Sequence, residues 1–83
     1  MALDLAPYNI QVNSVAPGFT YTDMTKESFD DPAVLEYSNS LIPMAKIADP
    51  KEIAKVVLFL LSDLSAYITG ETIFVDGGFK VSK

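Results

Sequence analysis

QVNSVAPGFTYTDM, residues 11–24, is a β-branched run that halts at Pro17-Gly18 and turns into a stretch dense in hydroxyls. β-Branched side chains favour an extended backbone, so Ile10 to Ala16 predicts a strand. Its apolar positions Ile10, Val12 and Val15 do not alternate cleanly, which suits a strand covered on both faces. Pro17 ends it. From Pro17 to about Phe29 no hydrophobic period persists, and Thr20, Thr22, Thr25 and Ser28 mark a loop with room for one helical turn.

Outward from that stretch the elements alternate. Upstream, Met1 to Ala6 reads as the last turns of a helix with Pro7 just beyond it, and Pro7-Tyr8-Asn9 as a turn. Downstream, Asp31-Pro32 supplies an N-cap and an N1 proline for a helix that runs towards Leu41 and stops before Pro43. Asp49-Pro50-Lys51-Glu52 repeats the signal with a capping-box carboxylate at N3, and starts a helix of about Pro50 to Leu61. After Glu52 its only charge is Lys55, and apolar groups project in nearly every direction. Such a helix needs cover on more than one side. Ser62 to Thr69 is a polar, irregular connector, Glu71 to Asp76 a second strand, and Gly77-Gly78 its end. Phe79 to Lys83 is too short and too polar for a return strand, so a terminal bend is expected rather than a hairpin.

Two strands joined by a helical crossover are parallel, in a unit that is almost always right-handed. Two strands cannot bury their own faces, and Ile10 to Ala16 would be left with a bare edge. The fold class expected is therefore α/β, as the last third of a doubly wound sheet.

Composition excludes several functions. Six basic against eleven acidic residues give a formal charge of −5, which opposes binding to nucleic acid or to an anionic membrane surface. The chain has no cysteine and no histidine, which removes disulfides, thiolate or imidazole metal ligands and the commonest general base. The longest apolar run, Val56 to Leu61, is far short of the roughly 20 residues of a membrane span, and MALDLAP has no basic leader region. A cytoplasmic chain is the default expectation.

ALDLAPYNIQVNSVAPGFTYTDM, IADPKEIAKVVLFLLSD and SAYITGETIFVDGG, in this order, resemble the C-terminal part of classical short-chain dehydrogenases/reductases, NAD(P)-dependent oxidoreductases of Rossmann fold. The likeness covers nearly the whole chain. KESFDDP with SLIPMAKIADP is similar to glucose 1-dehydrogenase-like members, while GFTYTDM and AYITGETIFVDGG look equally like 3-oxoacyl-carrier-protein reductases. The resemblance implies that residues 1–83 are the C-terminal segment of one NAD(P)-binding domain whose N-terminal part is absent. It implies NAD or NADP as cofactor, a small carbonyl or alcohol substrate of sugar, polyol or 3-oxoacyl type, and a homo-oligomer formed through Pro50–Leu61 and Glu71–Asp76.

In open α/β sheets ligands lie beyond the carboxyl ends of the strands, which is where Pro17-Gly18 falls. By resemblance, the Pro17-Gly18 backbone would lie against the nicotinamide, with Gly18 leaving room for close approach. Thr20 sits where the family holds the carboxamide with a backbone amide, and Thr22 where a hydroxyl contacts the carboxamide or a phosphate. A hydroxyl donates and accepts, so Thr22 suits either. The competing reading makes Pro-Gly a turn and Thr22 the cap of a helical turn. Asn13 reads as an amide tying neighbouring backbone together. Asp30-Asp31 reads as a helix start rather than an acid/base pair. Met24, Phe29, Leu41, Ile42 and Met44 are open to two readings, pocket wall or core.

Two family motifs cannot be built from this sequence. Gly18, Gly70, Gly77 and Gly78 do not form Gly-x-x-x-Gly-x-Gly, and the residues four after Tyr8, Tyr21, Tyr37 and Tyr67 are Val12, Thr25, Leu41 and Glu71 rather than lysine. No catalytic residue is assigned, and no metal ligand. The expectation is a part of an oxidoreductase that is inactive by itself, the alternative a non-catalytic module that associates with a full-length relative.

Overall fold

The computed structural model describes residues 1–82; Lys83, the end of the expected terminal bend, lies outside them. The elements in order are α1 (Ala2–Leu5), a 3₁₀ turn (Ala6–Tyr8), β1 (Ser14–Pro17), α2 (Lys26–Phe29), α3 (Pro32–Ser40), α4 (Pro50–Leu61), a 3₁₀ turn (Asp63–Ser65), β2 (Thr72–Val75) and a 3₁₀ turn (Lys80–Ser82). β1 and β2 pair in parallel, with Ser14 opposite Thr72 and Pro17 opposite Val75. The crossover between them carries α2, α3 and α4, so the α/β class with two parallel strands and crossover helices is observed.

Both helix starts form as their sequences dictate. Asp31 accepts a hydrogen bond from the Ala33 N–H and Asp49 from the Lys51 N–H, each at 2.9 Å, with proline at the first helical position. The capping box at α4 is only half made. The Glu52 carboxylate turns to Lys55 Nζ at 3.3 Å instead of the Asp49 N–H. α1 ends at Leu5, and Pro7, beyond it, lies in a 3₁₀ turn that Asn9 closes in the left-handed region at φ 60°.

β1 is shorter than the expected Ile10 to Ala16, for a local reason. The Val12 N–H donates to the Thr69 hydroxyl at 3.0 Å, and the Asn13 amide donates to the Ile68 carbonyl and accepts from the Glu71 N–H. Side chains there take the places of ladder partners, and regular pairing starts only at Ser14. Asn13 thus has the backbone-tying role expected of it. β2 is likewise narrower than Glu71 to Asp76, because Glu71 meets Asn13's side chain and Asp76 opens the closing turn.

α4 packs on both strands, and its half-buried residues, Ile53, Val56 and Leu60, recur at helical spacing. Its other faces are open: Leu58 is 66% and Leu61 79% exposed. Among the described residues, Phe29 of α2 and Ile42 after α3 are the only buried apolar side chains. The Cα radius of gyration is 15.5 Å, against about 12 Å for a compact domain of this length. The chain is ordered by local caps and one short ladder more than by a core of its own. Among the described residues no helix is long and apolar enough to cross a membrane.

Candidate functional site

A cavity of about 620 Å³ opens where the two parallel strands end, walled by the Ala16–Thr20 segment, Thr22, Thr25 and Phe29 on one side and by Phe74, Asp76, Phe79 and Lys80 on the other. Pro17, Gly18, Thr20 and Thr22, the four residues singled out in the sequence, all line it. Four phenylalanines stand in the wall: Phe19 and Phe79 meet edge to face at 5.2 Å, Lys80 Nζ lies 3.8 Å over the Phe74 ring, and Phe29 is the fourth.

Gly18 is required here for a reason the sequence did not give. A Cβ at this position would lie 2.6 Å from Asp76 Cβ and 2.8 Å from Asp76 Cα. The Gly18 N–H donates to the Val75 carbonyl at 3.0 Å. The close approach is to the end of β2, so the glycine lets two strand ends meet. Asp76 fixes that junction: Oδ1 accepts from the Gly78 N–H at 3.0 Å and Oδ2 from the Lys80 N–H at 3.1 Å. Gly77 and Gly78 have φ of 63° and 94°, and a Cβ on Gly77 would meet Ile42 Cγ2 at 2.7 Å. The Met44 N–H donates to the Gly77 carbonyl, which seats the chain after α3 on this turn.

After Gly18 the chain is held in place by Ala48. The Ala48 N–H donates to the Phe19 carbonyl at 2.8 Å and the Tyr21 N–H to the Ala48 carbonyl at 2.9 Å. Thr20, between them, therefore directs its own N–H and C=O to the other side. Its carbonyl accepts from the Thr25 hydroxyl at 2.7 Å, while its N–H makes no hydrogen bond among the described residues. The Thr22 hydroxyl meets the Thr25 hydroxyl at 3.2 Å and accepts from the Thr25 N–H at 3.3 Å. The structural reading of Thr22 as a turn cap is thus realised, and the same residue still lines the cavity. Thr25 was read only as a loop marker, yet it ties Thr20 to Thr22. Its signal in the sequence is nothing beyond a hydroxyl three residues after Thr22.

The Asp30-Asp31 pair divides. Asp31 caps α3, whereas Asp30 accepts from Lys26 Nζ at 2.7 Å and the Tyr21 hydroxyl at 2.8 Å, away from the cavity wall. The hydrogen bond from Lys26, then that from Tyr21, hold the Asp30 carboxyl below its ordinary range, and the bond to Asp30 holds the Lys26 ammonium above its own. Of the five residues left between core and pocket wall, Phe29 is both, Ile42 is core, Met44 lines a smaller cavity of about 180 Å³ beside Ala48, and Met24 and Leu41 are exposed.

A crossover-linked parallel pair with a cavity at its carboxyl ends is the arrangement of doubly wound α/β proteins. The family described as Enoyl-(Acyl carrier protein) reductase matches residues 1–80, and the chain belongs to the short-chain dehydrogenase/reductase family. It is 50% identical over 78 residues to the 3-oxoacyl-[acyl-carrier-protein] reductase FabG of Vibrio harveyi, covering 94% of this chain and 31% of that protein. A 4-hydroxyisoleucine dehydrogenase complexed with NADH superimposes with a TM-score of 0.93 at 32% identity, over 100% of this chain and 34% of the other. A gluconate 5-dehydrogenase from Burkholderia cenocepacia, in complex with NADP and tartrate, does so with a TM-score of 0.87 at 33% identity, over 98% and 32%. The chain thus spans about a third of the length of the relatives it matches.

Proposed function

We propose that this chain is the C-terminal segment of a single NAD(P)-binding Rossmann-type domain and forms the nicotinamide end of an oxidoreductase that interconverts a carbonyl and an alcohol. The observation that carries the reading is the convergence of Pro17, Gly18, Thr20 and Thr22 on one cavity at the strand ends, with the Thr20 N–H uncommitted among the described residues. These residues suit the carboxamide end of a nicotinamide: a flat proline–glycine backbone, an amide donor at Thr20 and a hydroxyl oxygen at Thr22. The cofactor, when bound, supplies or accepts the hydride. This chain's residues orient its ring and, through Phe19, Phe74 and Phe79, keep water from one side of it.

NADH and NADP each accompany a solved relative of about equal likeness, so either dinucleotide fits the reading. The substrate is a small carbonyl or alcohol compound, of the 3-oxoacyl or the sugar and polyol type, as in the relatives. Self-association through the open face of α4 and through β2 accompanies this reading, because Val57, Leu58 and Leu61 leave an apolar surface that a soluble protein covers.

The test is a fluorescence titration of the complete enzyme carrying this sequence with NADH and with NADPH, together with carbonyl turnover. Saturable binding of at least one, weakened about two- to tenfold by Thr22→Ala, is expected. Absence of saturable binding to both would remove the proposal. The 83-residue chain alone is expected to turn over no carbonyl, since neither a glycine-rich phosphate turn nor Tyr-x-x-x-Lys is in its sequence.

A further inference from the structure

Thr25 has a single hydroxyl proton and two lone pairs, and the structure spends all three. The proton has one short acceptor, the Thr20 carbonyl at 2.7 Å; the Thr22 carbonyl, at 3.4 Å, is a poor second. One lone pair accepts from the Thr22 N–H at 2.8 Å. The other faces the Thr22 hydroxyl at 3.2 Å. Because the Thr25 proton is committed to Thr20, the Thr22 hydroxyl must be the donor in that contact. The Thr22 oxygen also accepts from the Thr25 N–H, at 3.3 Å. What Thr22 then has left for the cavity is a lone pair, not a proton.

This count decides between the two partners that a bare hydroxyl at position 22 leaves open. A group beside Thr22 must donate. A phosphate oxygen at neutral pH has no proton to give, whereas the NH₂ of a primary carboxamide does. The Thr20 N–H, uncommitted among the described residues, supplies the complementary donor for the carboxamide oxygen. Donor at Thr20 and acceptor at Thr22 match the two ends of a primary amide.

We propose that Thr25 is a positioning residue that sets the hydrogen-bond polarity of the Thr20–Thr22 arm, so that the arm reads a primary carboxamide rather than a phosphate. Thr25 also lines the cavity, but its hydroxyl is taken up by Thr20 and Thr22, and it acts through these two neighbours. The inference rests on the reading of this cavity as a nicotinamide site and goes beyond it in naming what fixes the contact.

The experiment compares NAD(P)⁺ with its 3-acetylpyridine analogue, which keeps the carbonyl oxygen but replaces NH₂ by CH₃. In the complete enzyme, wild type should bind the natural cofactor about fivefold or more tightly than the analogue, the order expected for one hydrogen bond. Thr25→Val, nearly isosteric, frees the Thr22 proton while leaving its lone pair, so it should narrow the preference without abolishing it, while Thr25→Ser restores it in full. A merely structural role for Thr25 would weaken both cofactors equally and leave the ratio unchanged, which overturns the proposal. Should Thr25→Val not fold, Thr22→Val removes the acceptor itself and must abolish the preference; an unaltered ratio there overturns the proposal too. A wild type that binds both cofactors equally overturns the proposal without any variant. Failure of wild type to bind either cofactor overturns instead the nicotinamide reading beneath it.

Discussion

The Pro17–Thr25 arm and helix α4 are ordered by opposite means. In the arm, backbone and hydroxyl groups are satisfied mainly within the chain, by Val75, Ala48 and the three threonines. In α4 the backbone is self-sufficient and the side chains are not, for only one apolar stripe meets the sheet while Val57 and Phe59 remain 40% and 38% exposed. Hydrogen bonds are directional, so those within the arm define its arrangement. Burial is non-directional, so the rest of α4 is specified only when something covers it.

The largest expected effect is on that cover. In the complete enzyme, Phe59→Glu should split the assembly, because an unpaired charge left in a buried apolar contact costs about 3–5 kcal/mol. Light scattering reads it: a mutant that keeps the parent's mass, or a monomeric parent, breaks the assignment of this face.

Next in size is Gly18→Ala. The added methyl has no space beside Asp76 Cβ and Cα, and overpacking of this kind costs about 1–3 kcal/mol. Urea denaturation should show the loss, and cofactor affinity should fall with it as the two strand ends are pushed apart. Unchanged stability would mean that the strand ends yield, and that the arm is less rigid than its hydrogen bonds imply. Asp49→Ala should cost about 1 kcal/mol through loss of an N-cap, and Asp31→Ala a similar amount. Neither should alter cofactor preference, since neither residue lines the cavity.

The same contrast explains what was legible beforehand. α4 was read to its observed bounds, Pro50–Leu61, because cap, N1 proline and apolar run are all local. The convergence of Pro17, Gly18, Thr20 and Thr22 followed from where a strand ends in an α/β sheet, together with the family resemblance. The strand limits were read too wide, since nothing local says that Asn13 and Thr69 will replace ladder bonds by side chains. Gly18's true neighbour is 58 residues away in sequence, at Asp76, and only the register of β1 on β2 brings them together. The ties of Thr25 to Thr20 and Thr22 depend on how the loop folds back, which no spacing encodes.

The smallest effect belongs to the exposed bonds that flank the arm, those of Asp30 with Lys26 and Tyr21. Asp30 titrates below its ordinary value of 3.8, so its contribution to stability is present above that value and is lost as pH falls through the lowered one. Lys26 titrates above 10.5, so its contribution is present below that value and is lost only as pH rises beyond it. Between these limits the pair is constant, and across neutral pH it contributes no pH dependence. Its side chains are about half exposed, 59% for Lys26 and 49% for Asp30, so salt screens it and the gain is slight. Thermal melts of the complete enzyme and of Asp30→Asn should therefore differ little at pH 7, less in 1 M salt, and progressively less as pH falls below 3.8. A large difference at pH 7 that survives salt would show that Asp30 holds the arm through Tyr21 rather than through charge, and Tyr21→Phe should then reproduce it.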